Sequence, residues 1–345
     1  MLDLAKVTYV DTPEAVAELA TRVAEAPRVA LDTEADSLHH YYEKVCLVQI
    51  TVDGSDYIVD PLARIDLQPL MQALSRPKLV LHGADYDLRM MRRDFGFVAH
   101  EIFDTMSAAQ LLGYPRFGYA ALVEHHLGIS LCKQGQKADW SRRPLSDKLL
   151  HYAAGDTHYL TRIADRLTEE LILKGRLSWH EEVCRKLLPQ VAEGMREPDA
   201  EKQWRIKGWA TLRSPRAQAV LREVWRWRDE EARRADLPSF KIVRNETLIA
   251  LATWAHAGMD PHSRPALPRN FFGRRMRTLL EAIERALALP ESELPKPLVA
   301  PRRDQPPPDE QLVTSLKQIR DAKARELELD PGVLLPGAAI NAIAA

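Results

Sequence analysis

Cysteine is scarce in this chain: Cys46, Cys132 and Cys184 are the only three in 345 residues. They lie too far apart for a zinc signature, and an odd, sparse set speaks against a disulfide framework and for a reducing compartment. No apolar run is long enough to span a bilayer, and no signal-peptide pattern is expected, since residues 1–26 read as a strand followed by an amphipathic helix. The expectation is a soluble, cytoplasmic monomer with no membrane partner. An excess of one charge sign is also missing. Lys and Arg number 48 against 49 Asp and Glu, a net of −1, so composition as a whole does not announce a polyanionic partner. Polymerase and helicase motifs are absent. His82, His151 and His158 show no pairing at metal-ligand spacing and read as structural or surface histidines.

The balance of charge hides an uneven distribution. Residues 205–290 carry 17 Lys or Arg against 9 Asp or Glu, so a basic stretch is joined to an acidic remainder. Such a layout suits holding a polyanion while an acidic, cation-loaded part acts on its end. The length gives room for two or three domains, each with its own core.

Three short acidic segments stand out in the first 160 residues: VALDTEADSL, LVLHGADYDLRMM and HYAAGDTHYL. In the first, the apolar run Val29 to Leu31 reads as a buried strand that delivers Asp32 and Glu34 two positions apart, hence on one face. In the second, Leu79 to Leu81 turns through His82, Gly83 and Ala84 into a helix whose first turn carries Asp85 and Asp87, beside the positive end of its dipole. In the third, Tyr152 and Asp156 are four apart in a helical repeat, which stacks phenol and carboxylate on one helix face.

Carboxylates gathered in this way repel one another unless cations sit among them. Oxygen donors alone suit magnesium or manganese rather than zinc or copper. Two such ions about 3.5 to 4 Å apart form the clamp that phosphodiester hydrolysis needs. Tyr152 is placed to orient the attacking water or take its proton.

The three segments, in this order and spacing, resemble the DEDD superfamily of 3′–5′ exonucleases in its tyrosine-containing branch, most closely the ribonuclease D family. Asp32 and Glu34 match the Asp-x-Glu motif; Asp87 matches the second acid, because in the family it directly precedes a leucine, here Leu88, which leaves Asp85 aside. Tyr152 and Asp156 match Tyr-x-x-x-Asp, and the flanking DWSRRPLS stretch, Asp139 to Ser146, is also similar to the family. Asp104 resembles a further recurring acid, but reads as a helix N-cap ahead of Thr105.

From residue 203 the sequence turns to helices rich in Trp and Arg. Trp204 to Gly208, the WRDEEARRADLP stretch and the NETLIALA helix resemble the helicase-and-RNase-D C-terminal (HRDC) domain. Trp225, Trp227 and Trp254 read as core rather than as base-stacking platforms, and Arg233, Arg234, Arg274, Arg275 and Arg277 as the better candidates for phosphate contact. A Pro-rich stretch at 290–308 reads as a stiff linker. The tail has helical periodicity, but room for only part of the second HRDC-like bundle that the family carries there; a divergent end, a truncated end and packing against the first bundle all remain open.

The fold expected is therefore α/β: early hairpin strands (45–52 into 57–59) and strand-helix alternation give a mixed sheet flanked by helices, which the resemblance specifies as ribonuclease-H-like. An all-α HRDC-like bundle and a helical tail follow. The expected segments are an exonuclease domain at 1–172, a helical linker at 173–203, the HRDC-like domain at 204–289, the Pro-rich linker at 290–308 and the tail at 309–345. The resemblance implies a 3′–5′ exoribonuclease that trims single-stranded 3′ ends of RNA, tRNA precursors in particular, and releases nucleoside 5′-monophosphates. Asp32, Glu34, Asp87 and Asp156 would hold two divalent ions, Mg2+ or Mn2+, with Tyr152 at the attacking water. His82, Gln49, Tyr41, Tyr42, Arg142 and Arg143 flank the motifs and are the candidate substrate contacts. The alternatives are a 3′–5′ DNA exonuclease on the same catalytic domain and a catalytically silent nucleic-acid-binding protein; retention of all five site residues speaks against the last.

Overall fold

The structure, a computed structural model, describes residues 7–131, 135–194, 199, 201–268, 271–296 and 308–345. Cys132 and most of the Pro-rich linker lie outside these residues. The chain divides into two units. One contains residues 1–36, 44–195 and 303–345; the other contains 37–43 and 196–302.

The first unit begins with β1 (Val7–Val10) and α1 (Pro13–Glu25), whose start is set by Thr12, its hydroxyl accepting from the Ala15 N–H, and by Pro13 in the first turn. Strands β2 (Arg28–Ala35), β3 (Val45–Val52) and β4 (Ser55–Val59) follow, then α2 (Gln68–Leu74), β5 (Lys78–Leu81), α3 (Asp85–Phe95) and β6 (Ile102–Asp104). The helices α4 (Thr105–Leu112), α5 (Tyr119–Leu127), α6 (Asp147–His158), α7 (Leu160–Leu173) and α8 (Leu177–Ala192) complete the run. The six strands are ordered β1-β4-β3-β2-β5-β6, antiparallel only at β4-β3 and β3-β2. This is the expected mixed sheet.

Both faces are covered, which explains why every residue of β3 is buried rather than every second one. Val29 and Leu31 of β2 enter the core with Val16, Leu19 and Val23 of α1 and with α2 and α3. Ala30 faces the other side, where it meets residues of α4, α5 and α7. Asp32 and Glu34 continue that second face. Asp104 is the N-cap of α4, its carboxylate accepting from the Met106 and Ser107 N–H groups, as the sequence predicts.

The second unit holds α9 (Pro215–Ala235), α10 (Ser239–Ile242), α11 (Asn245–His256) and α12 (Arg274–Ala288) around one apolar core. Trp227 and Trp254 are in that core, their indole N–H groups donating to Thr278 Oγ1 at 3.0 Å and to the Asp260 carbonyl at 2.7 Å. Trp225 packs against it, half-buried. The candidate phosphate-contact arginines each carry an ion pair, Arg233 with Asp229. Buried Glu231 draws in Arg234, Arg274 and Arg275, while Arg277 pairs with Glu281.

The tail forms α13 (Glu310–Leu327), α14 (Pro331–Leu334) and α15 (Gly337–Ile343), and it belongs to the first unit, not to the helical bundle. Buried Arg176 donates to the Leu111 carbonyl at 2.7 Å and to that of Leu327 at 2.5 Å, giving the end of α13 a partner. At Gly113, in the left-handed region at φ +85°, a Cβ would come within 2.1 Å of the Glu328 carbonyl oxygen, so only glycine allows the approach.

Candidate active site

Four acids converge toward the C-terminal end of β2, an interior strand of the sheet. Asp32 and Glu34 come from β2, Asp87 from the first turn of α3, and Asp156 from α6, which packs across β2, β3 and β4. The α6 start is fixed by Ser146, whose hydroxyl accepts from the Leu149 N–H, and its helical spacing places Tyr152 over Asp156. Thr33 points to the opposite face from its two neighbours and donates its hydroxyl to Asp87, tying α3 to the strand that carries the first two acids.

The electrostatics record this crowding. Burial, and then the charges of Asp87, Asp156 and Glu34, hold Asp32 well above the usual carboxylate range. Glu34 is pushed up to about 9 by burial and by Asp156 and Asp87. Burial lifts Asp156 to about 7 against a hydrogen bond from Tyr152, and lifts Asp87 to about 6 against the one from Thr33. Burial, followed by Asp156, Glu34 and Asp32, raises the Tyr152 phenol as well, so it enters as a hydrogen-bond donor.

Four buried carboxylates side by side need protons or cations, and an all-oxygen donor set fits a hard divalent ion. Among the described residues, no three His, Cys, Asp or Glu side chains are drawn together into a group able to hold an ion as they stand. Asp32 and Glu34 nevertheless both feel the charges of Asp87 and Asp156.

A cavity of about 720 Å³ opens beside the acids, lined in part by Tyr152, Asp156, His82, Tyr119 and Gln136. Gly135 lies against the Tyr152 ring so closely that a Cβ there would come within 2.3 Å of it. Sequence reasoning missed Thr33, Tyr119 and Gly135. Nothing in local pattern marks them, because their roles depend on residues 17 to 54 positions away.

The candidate substrate contacts separate. His82 lines the cavity. Gln49 faces Asp32 across the β2-β3 ladder but is fully buried, its amide without a partner among the described residues. Arg143 is not free for phosphate. Its guanidinium holds Asp60 through two bonds of 2.6 Å and also donates to the Trp140 and Cys46 carbonyls. Arg142 pairs with Asp139 at 3.0 Å with its side chain largely exposed. Tyr41 and Tyr42 belong to the second unit, where the Tyr41 hydroxyl donates to Asp229 at 2.7 Å beneath the Arg233 guanidinium.

Residues 7–172 match the family model for a 3′–5′ exonuclease, and residues 217–255 match that for an HRDC domain. Ribonuclease D of Gluconacetobacter diazotrophicus is 33% identical over 329 residues, covering 93% of this chain and 82% of that protein. The chain belongs to the ribonuclease D family. Ribonuclease D of Escherichia coli is 32% identical, with 84% of this chain and 77% of that one covered. The crystal structure of Escherichia coli RNase D, described as an exoribonuclease involved in structured RNA processing, superposes with a TM-score of 0.74 at 28% identity, covering 97% and 89% of the two chains. The catalytic core of RRP6 from Trypanosoma brucei gives 0.70 at 28% identity, covering 84% and 82%. The fold is ribonuclease-H-like, and as a ribonuclease D the protein is a 3′–5′ exoribonuclease. Among the described residues, no helix is long and apolar enough to cross a membrane.

Proposed function

We propose that the protein trims single-stranded 3′ ends of RNA, tRNA precursors among them, by metal-dependent hydrolysis that releases nucleoside 5′-monophosphates. The observation that carries the reading is the gathering of four buried acids from β2, α3 and α6, all held above the usual carboxylate range by burial, with Asp32 and Glu34 raised further by the others, a state that a cation would relieve. These four residues would hold Mg2+ or Mn2+, two ions in all. When bound, the ions supply an activated water and stabilisation of the leaving oxygen.

The chain's own residues do the rest. The Tyr152 phenol, one helical turn from Asp156 on α6 and backed by the close approach of Gly135, positions the water for in-line displacement. Thr33 orients Asp87. The cavity beside Tyr152 takes the last nucleotide, which must be unpaired to place its phosphate among the acids. Arg142, exposed near the third motif, is the remaining candidate for a phosphate contact. We read the protein as a cytoplasmic monomer; Cys46 and Cys184 are both free and buried, as a reducing compartment permits.

The test is hydrolysis of a 5′-labelled RNA with a single-stranded 3′ tail and of its DNA counterpart, with Mg2+, Mn2+ or chelator, comparing wild type with Asp32→Ala and Tyr152→Phe. A metal-dependent ladder shortening from the 3′ end of RNA, lost in Asp32→Ala and strongly slowed in Tyr152→Phe, supports the reading. Equal degradation of DNA would move the protein to the DNA exonucleases on the same site, and binding without cleavage would remove the catalytic reading.

A further inference from the structure

His82 sits at the end of β5, five residues before Asp87, and lines the cavity that also contains Tyr152 and Asp156. Its Nδ1 is 2.9 Å from the hydroxyl oxygen of Thr105, and that hydroxyl is 2.9 Å from the Leu81 carbonyl oxygen. A carbonyl oxygen only accepts, and a threonine hydroxyl has one proton to give. The Thr105 proton therefore goes to Leu81, and Thr105 must accept from His82. This fixes the tautomer: Nδ1 carries the hydrogen and Nε2 carries the lone pair. Thr105 is fully buried, so water does not compete for this relay. Burial also keeps the ring neutral, holding its pKa down to about 4 against the pull of Asp104.

Nε2 has no partner among the described residues and is not sealed from solvent. The ring is further held by Tyr119, with ring centres 5.7 Å apart; the Tyr119 hydroxyl is itself fixed between the Gly155 carbonyl and the Tyr159 N–H, both at 3.2 Å. The cavity thus contains a rigid hydrogen-bond acceptor. Phosphate oxygens and the carbonyls of bases have no hydrogen to give it. Base amino and imino groups do, but their positions change from base to base, whereas every RNA end presents a sugar hydroxyl in the same place.

We propose that His82 Nε2 accepts a hydrogen bond from a ribose hydroxyl of the substrate's 3′-terminal nucleotide, making His82 a residue by which the site selects RNA ends with a free sugar edge. The proposal rests on the exonuclease reading above and adds to it the group that is recognised. Thr105 acts as a positioning residue, since it would reach the substrate only through the ring.

The test uses 5′-labelled RNAs that are identical except for the last sugar: ribose, 2′-deoxyribose or 3′-deoxyribose. Single-turnover kcat/KM is measured for wild type, His82→Ala and His82→Gln, whose amide oxygen reaches the Nε2 position. Wild type is expected to prefer the full ribose over one of the two deoxy ends by about 10-fold, the effect of one unmade hydrogen bond, and the deoxy end disfavoured tells which hydroxyl is read. His82→Ala should lose that preference by slowing only the substrates that carry the hydroxyl, and His82→Gln should regain part of it. The proposal is overturned if His82→Ala slows all three substrates equally, or leaves the wild-type preference intact. If wild type cuts none of the three, the exonuclease reading itself fails, an outcome distinct from loss of selectivity in an active enzyme.

Discussion

Thr33 and Asp87 are 54 residues apart in sequence, yet the Thr33 hydroxyl donates to the Asp87 carboxylate in the buried edge of the site. The bond offsets part of the burial that otherwise lifts Asp87, and it ties that carboxylate on α3 to the strand that carries Asp32 and Glu34. Thr33→Val keeps the shape and removes the donor. It should raise the Mg2+ concentration needed for half-maximal activity by about 10-fold, the effect of one hydrogen bond to a charged group. A metal titration of RNA hydrolysis checks this, and an unchanged midpoint would assign Thr33 to packing alone.

Gathering four buried acids destabilises the metal-free protein. Asp32→Asn removes one charge from the set and should abolish hydrolysis while raising the melting temperature measured in chelator. The same scan with Mg2+ should show a rise for wild type that the variant lacks or shows weakly, because the ion binds only the folded site. A variant that melts lower than wild type in chelator would contradict the repulsion argument.

Gly135 touches the flat of the Tyr152 ring, and a Cβ there would come within 2.4 Å of Cγ, the atom at the ring's root. The ring cannot yield at that point without moving the phenol. Gly135→Ala should therefore lower kcat by about 10-fold or more with little change in melting temperature, since misplacing a reacting geometry by an ångström has effects of this size. Equal loss of stability and of activity would point to general disruption of the loop instead.

Arg143 makes a further case, because its pairing with Asp60 is structural. Burial pushes the Asp60 carboxyl up, but its bonds with Arg143 and Tyr9 outweigh this and hold it below its ordinary value. A carboxyl whose folded pKa is depressed stabilises the fold above its unfolded pKa, about 4, and that contribution fades as pH falls through the folded value. Arg143→Ala should be less stable by about 3 kcal/mol at pH 7, the effect of stranding a buried charge, and the gap should narrow below about pH 4. Urea unfolding across this range reads both. The salt dependence of RNA binding should be unchanged, whereas loss of a phosphate contact would lower its slope by about 1.

The sequence by itself determined which side chains share a face. Asp32 and Glu34 lie together because strand side chains alternate, Tyr152 and Asp156 because four residues make about one helical turn, and Asp104 caps α4 because its neighbours form a first turn. The mixed sheet and the core tryptophans were legible for the same reason, since burial writes a local period into the chain. Only the tertiary structure decided what those faces meet. Thr33 on Asp87, Gly135 on Tyr152, Arg143 on Asp60 and His82 on Thr105 are pairs joined across 17 to 83 residues. The tail likewise repeats like any amphipathic helix, but its attachment to the first unit depends on Arg176 reaching the Leu327 carbonyl and on the missing side chain of Gly113. Such contacts depend on the packing of elements distant in sequence, and no local period encodes the partner.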